Sequence, residues 1–148
     1  MELLPIHENE QLNTAFQDYP DCRIIIGMTL DYYKRIGYHE PWIGYFARLG
    51  GEIVGSAGFK GKPRDGKIEI AYGTFPQHEG KGVATEICRQ MVLLSLKTDP
   101  SVRVRARTLP EENASARVLR KNGFTLLGIV WDEEDGDVWE WELVKTQP

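Results

Sequence analysis

Apolar positions recur along this chain with two rhythms, one of period two and one close to 3.6, and the changes of rhythm divide it into elements. Lys67 to Phe75 sets Ile68, Ile70, Tyr72 and Thr74 against Glu69, Ala71 and Gly73, the pattern of a half-buried strand. Trp42 to Leu49 and Glu52 to Lys60 are β-rich runs joined by Gly50-Gly51, a two-residue hairpin signal, and Pro63 to Gly66 supplies turn residues before the third run. The three runs predict an antiparallel meander. Pro76 ends strand pairing, and from Gly82 to Thr98 the positions Ala84, Ile87, Cys88, Met91 and Leu94 share one helical face. Asp99-Pro100 closes that helix, after which Val102, Val104, Ala106 and Thr108 alternate with Arg103, Arg105 and Arg107. A helix is predicted from Asn113 to Lys121, stopped by Asn122-Gly123, and Phe124 to Trp131 with Val138 to Val144 make a closing hairpin. Short helices are predicted over 8–18 and 29–37. This order implies a mixed α/β (α+β) sheet with helices on its faces.

Composition narrows the function. No repeat, low-complexity tract or linker interrupts the 148 residues, so a single domain over 1–148 is expected. A formal net charge of −4 argues against coating nucleic acid or a membrane through bulk charge. Cys22 and Cys88 allow at most one bridge and no metal cluster, which reads as a cytoplasmic protein with reduced thiols. The first residues lack the basic and apolar regions of a signal peptide, and no apolar run approaches the roughly 20 residues of a membrane helix.

The candidate chemistry sits in Gln77-His78-Glu79-Gly80-Lys81-Gly82-Val83-Ala84, between a strand and a helix start. Unpaired N–H groups and partial positive charge at a helix start, approached by glycines, suit a phosphate. The segment is not a Walker loop, because Phe75 and Gly82 stand where Gly and Ser or Thr are needed, and Thr85 breaks the dinucleotide fingerprint. The alternative is a plain glycine turn before an ordinary helix.

Gln77, Gly80 and Gly82 do satisfy Q-x-x-G-x-G, Pro110 to Phe124 ends in K-x-G-F, and Glu69-Ile70-Ala71-Tyr72 precedes both. In this order the motifs resemble the GNAT superfamily of N-acetyltransferases, in the branch that includes ribosomal-protein and aminoglycoside enzymes. The resemblance implies a GNAT-like fold with a mostly antiparallel central sheet and acetyl-CoA as cofactor. It implies coenzyme contacts from Thr74, Phe75, Gln77, His78, Glu79, Gly80, Lys81, Gly82, Val83, Ala84, Asn113 and Ser115. The strand ending at Phe75 and the arginine-bearing strand are expected to splay around the pantetheine arm, with a free N–H near Gly73 to Phe75 facing the acyl oxygen.

The implied reaction is direct acetyl transfer to a primary amine, on a small molecule or on a protein or peptide. An amine is mostly protonated at neutral pH and needs a base. Glu69 is the first candidate, with Glu140 and Glu142 behind it. Many relatives carry a tyrosine acid where this chain has Leu119, so Ser115 or Tyr72 is left to donate to the departing thiolate. The branch often carries Asn where Glu112 stands, and Asn113 follows one place later. A non-catalytic acyl-CoA-binding module is the alternative function. A homodimer is compatible with the resemblance.

Charge is uneven: seven acidic residues and no basic one lie between Trp131 and Glu142, whereas Arg103, Arg105 and Arg107 alternate on one strand. The acidic run predicts an electronegative lip that steers a cationic amine; its alternative is a solvated turn. The arginines also allow nucleic-acid binding, which the net charge disfavours, and no nucleic-acid or membrane partner is expected. Tyr32, Tyr33, Tyr38, His39, Trp42 and Tyr45 are either core or acceptor pocket.

Overall fold

A computed structural model describes residues 1–145; the last three, part of the domain expected at 1–148, lie outside the described residues. The elements are β1 (Glu2–Pro5), a 3₁₀ segment (Glu10–Phe16), α1 (Pro20–Ile36), β2 (Gly44–Leu49), β3 (Glu52–Phe59), β4 (Lys67–Thr74), α2 (Val83–Thr98), β5 (Arg103–Thr108), α3 (Ala114–Lys121), β6 (Phe124–Asp132) and β7 (Gly136–Leu143). One sheet runs β1-β2-β3-β4-β5-β7-β6. All its pairs are antiparallel except β4 with β5.

The meander forms as predicted, with Gly50 and Gly51 both in the left-handed region that a two-residue hairpin requires. Strand alternation then builds two cores, one on each face of the sheet. Tyr45 and Ala47 of β2 pack with Ile68 and Ile70 of β4 and with Ile87 and Met91 of α2. Phe46, between them, faces the other way and packs with Phe16 and with Cys22 and Ile26 of α1. Helices on both faces are therefore the direct result of period two in β2.

Three expectations are corrected. The segment predicted as a helix over 8–18 is a 3₁₀ segment, opened by Asn9, whose side chain accepts from the Gln11 N–H. Asn13 within it is fully buried: it accepts from the His7 N–H and donates to the His7 carbonyl, closing the loop after β1. The helix predicted over 29–37 starts at Pro20, a residue suited to a first turn, with Asp21 beside it. Its run Ile24 to Gly27 has poor helix propensity, and burial of Cys22, Ile26 and Tyr33 decides the outcome. The edge strand β1 was not expected; it pairs with β2 and carries Pro5 at its end, where an edge tolerates proline.

Gly55 of β3 is required by close approach. A Cβ there would lie 2.3 Å from the Gly73 carbonyl oxygen and 2.9 Å from Ile87 Cδ1. Gly55→Ala is expected to cost roughly 1–3 kcal/mol by overpacking, read as a lowered midpoint in urea unfolding.

Candidate active site

β4 and β5 share four paired positions, from Lys67 with Arg103 to Ile70 with Ala106, and then part. Beyond that point β4 stays bonded to β3 alone, through Gly55 with Thr74. The Phe75 N–H donates to Val54 and Glu69 accepts from the Lys60 N–H, so odd-numbered positions of β4 bond to β3. By antiparallel alternation the N–H groups of Tyr72 and Thr74 point to the side that β5 has left, with no ladder partner. The free N–H expected near Gly73 to Phe75 is therefore not that of Phe75, which donates to Val54; Phe75, expected to contact the coenzyme, is buried in the α1-side core and lines neither cleft.

Two clefts meet at this divergence. One, of about 570 Å³, runs from Tyr72, Gly73 and Thr74 past His78, Glu79, Gly80, Gly82, Val83, Ala84 and Thr85 to Ala114, Ser115, Arg117, Val118 and Lys121 on α3. The other, of about 450 Å³, lies against α1, with Ile25, Met28, Thr29 and Tyr32 on one wall and Ala71, Tyr72 and Gly73 on the other. Tyr72 and Gly73 belong to both. The first cleft ends on the start of α2, whose cap residue Gly82 has φ 77° and supplies no side-chain cap. Gly80 has φ 76°, and a Cβ on either glycine would meet nothing within 4 Å. The result is an open cradle of unpaired helix N–H groups.

Tyr72 and Thr74 line the first cleft, and their hydroxyl oxygens are buried beneath its surface without a hydrogen-bond partner. Burial, with the Cys88 thiol beside it, holds the Tyr72 phenol well above its ordinary range, and burial pushes Cys88 itself up to about 12. Asn122 donates to the carbonyls of Thr85 and Val118, tying the end of α3 to the first turn of α2.

The family profile described as an acetyltransferase (GNAT) domain matches residues 7–125. The chain belongs to the GNAT acetyltransferase family. It is 28% identical over 102 residues to the uncharacterized N-acetyltransferase p20 of Bacillus licheniformis, covering 65% of this chain and 57% of that protein. A crystal structure of an aminoglycoside acetyltransferase with coenzyme A matches at 26% identity and a TM-score of 0.61, over 70% of this chain and 66% of that one. This chain thus spans less than two thirds of either relative. A ribosomal-protein α-N-acetyltransferase in complex with coenzyme A shares the fold, at 20% identity and a TM-score of 0.68 over 96% of this chain and 92% of that one.

Within this GNAT frame the expected residues fall into three groups. Tyr72, Thr74, His78, Glu79, Gly80, Gly82, Val83, Ala84 and Ser115 line the first cleft. Gln77 turns its amide toward Asp21 of α1, 3.5 Å away, and neither it nor the exposed Lys81 lines the cleft. Asn113 caps α3 by accepting from the Ala116 N–H. Sequence reasoning missed Thr85 on α2 and Ala114, Arg117, Val118 and Lys121 on α3; the helical spacing of the four α3 residues was the available signal. Leu119, where the resemblance implies a tyrosine, is fully buried in the core. Of the aromatics, Tyr33 and Tyr45 are core, and Tyr32 lines the second cleft.

Glu69 stands outside both clefts. Its carboxylate lies 3.0 Å from Lys60 Nζ and 3.6 Å from Arg107 Nε. From there a charge ladder crosses the sheet: Asp132 and Glu140 hold Arg107, Glu140 and Glu142 hold Arg105, and Glu142 reaches Arg103. The predicted electronegative lip is corrected accordingly, because three of its seven acids are neutralised by β5. Glu140 and Glu142, second choices for a base, are taken up in the same pairs.

Burial opposes the charge of Asp132 and Glu142, but hydrogen bonds outweigh it and leave both carboxyls below their ordinary values. At Glu142 the donors are Arg103 and Arg105. A carboxyl depressed by folding stabilises fully above its unfolded value, about 4.3 for glutamate, and that part is lost as pH falls through the folded value. Glu142→Gln is expected to lower stability at pH 7 and to flatten the loss on acidification from about pH 5 to pH 3, measured by urea unfolding; an unchanged slope would count against the pairing.

Proposed function

We propose that the chain is an acetyl-CoA-dependent N-acetyltransferase that transfers an acetyl group to a primary amine by direct attack in a ternary complex. One observation carries the reading: two clefts on opposite sides of β4 meet at Tyr72 and Gly73, where the strand leaves its neighbour. A donor in one cleft and an acceptor in the other would be brought into contact there without displacing protein.

The residues present fit coenzyme A. The uncapped α2 start and the open Gly80–Gly82 cradle suit a pyrophosphate, with Arg117 and Lys121 supplying charge on the facing helix. The outward N–H groups of Tyr72 and Thr74 offer polar partners along an extended arm. Relatives solved with coenzyme A support the same assignment. When bound, acetyl-CoA supplies the acetyl group as an activated thioester.

The chain's own groups divide the remaining work. The Tyr72 and Thr74 N–H groups face the position where negative charge develops on the acyl oxygen. Tyr72, at the junction of the two clefts, is the first candidate to donate a proton to the departing thiolate in place of the acid that Leu119 cannot provide, although burial opposes the release of that proton; Ser115 on the cleft wall is the second donor. Glu69 shares its face of β4 with Ala71 and Gly73 and takes up the amine proton through water, its position set by Lys60 and Arg107. The acceptor is a small-molecule amine or a protein or peptide amino group, matching relatives named for aminoglycosides and a ribosomal protein. The two unbridged cysteines suit the cytoplasm.

The buried Leu119 favours one second reading, a module that binds acyl-CoA without turnover. Thermal unfolding with acetyl-CoA, with ATP and NAD as controls, tests the shared part: saturation at about 100 times Kd adds roughly 2.7 kcal/mol. No shift with acetyl-CoA would remove both readings. Turnover with any amine removes the module. Tyr72→Phe is then expected to lower kcat about 100-fold with acetyl-CoA binding kept, and unchanged kcat would dismiss Tyr72 as the acid. Glu69→Gln is expected to lower kcat; a change in KM alone would instead mean that Glu69 only holds Lys60.

A further inference from the structure

The α1-side face of β4 continues past the acceptor cleft. Lys67, Glu69, Ala71 and Gly73 succeed one another on it; Ala71 and Gly73 line the cleft, whereas Lys67 and Glu69 line a further cavity of about 360 Å³. Lys60 borders both spaces, so they are neighbours along one strand.

The walls of the further cavity carry six cations, Lys60, Lys62, Arg64, Lys67, Arg105 and Arg107, against Glu69 and Glu140. Asp132 and Glu142 reach Arg107 and Arg105 as well, yet all four acids are already engaged by Lys60 and the β5 arginines. Lys62, Arg64 and Lys67 make no ion pair among the described residues, and neither does Asp65 in the turn between them. Three uncompensated cations on one concave wall favour an anion entering from solvent, and the guanidinium of Arg64 suits a carboxylate or phosphate.

We propose that this basic cavity binds an anionic side chain of the acceptor, and that the acceptor is a peptide. The inference rests on the proposed reaction, which sets the reacting amine beside Gly73. At about 3.3 Å per strand residue, Glu69 lies roughly 13 Å and Lys67 roughly 20 Å from that point. An extended peptide covers this span in about four to six residues. The preferred substrate therefore has a free amino group followed, about four to six residues on, by an acidic or phosphorylated side chain. The same cavity repels a polycationic amine.

Three ten-residue peptides with free amino termini test this, carrying Glu, phosphoserine or Gln at positions five and six. Both anionic peptides are expected to exceed the Gln peptide at least tenfold in kcat/KM, through KM, with the advantage shrinking as salt rises; an advantage confined to one of them identifies the anion. In K62Q/R64Q, which alters two exposed side chains, the preference should vanish, whereas Lys97→Gln should leave it intact. Fluorescence anisotropy of the labelled peptides, without acetyl-CoA, should give the same ranking. Equal kcat/KM and equal binding of charged and neutral peptides, or a preference that survives in K62Q/R64Q, overturns the cavity's role. Small amines acetylated but no peptide bound overturns this inference alone. Absence of turnover with every amine, while anionic peptides still bind preferentially, overturns the proposed reaction and leaves the anion site standing.

Discussion

Everything in the candidate site depends on where the one parallel pairing in the sheet stops. β4 and β5 remain together for four positions, braced from beneath by Ile68, Ile70, Val104 and Ala106 in the core with α2. Past Ile70 each strand is held from its outer side only, β4 by β3 and β5 by β7. The buried Trp141 of β7 donates its indole N–H to Thr108 at the far end of β5, anchoring that strand away from β4. A gap between two strands leaves backbone groups without partners, a cost that water or a ligand must offset. The fold tolerates the gap because both of its edges belong to strands otherwise fully committed.

The charge ladder is the second organising device. Arg105 faces Glu142 and Arg107 faces Glu140 across the β5–β7 pairing, so ladder and register are the same arrangement seen twice. These side chains are largely screened from water, which makes the loss of one partner more disruptive than the loss of a surface pair. Arg107 extends the ladder to Asp132 on β6 and Glu69 on β4, linking four strands through one face.

Legibility in the sequence followed how local each feature is. Half-buried strands announce themselves by alternation, and Gly80 and Gly82 could be singled out because a left-handed backbone is a demand met within one residue. The first half of α1 was hidden by Ile24, Ile25, Ile26 and Gly27, whose local preferences are overruled by packing against Phe46. β1 has four residues, and its Leu3 and Leu4 pack on opposite faces of the sheet, too short a run to show an alternation. The spacing of Arg117 and Lys121 puts them on one face of α3, but that this face borders the cleft depends on the docking of α3 beside α2, which no window of sequence encodes. The pairing of Asp132, Glu140 and Glu142 with the β5 arginines was hidden for the same reason, since composition records charges and omits who stands opposite.

Tyr33 ties these parts together in a way that bears on how such a protein diversifies. Its buried hydroxyl accepts from the Gly44 N–H and donates to the Ile6 carbonyl, riveting α1 to the β1–β2 side of the sheet. Its neighbours Met28, Thr29 and Tyr32 border the second cleft without sharing that bond. The helix is thus anchored by the Tyr33 hydroxyl and by Cys22 and Ile26 in the core, and displays other side chains on its cleft side. Amino-acid drift at those displayed positions can retune molecular preference while the rivet, the sheet and the cradle on the opposite face are inherited unchanged.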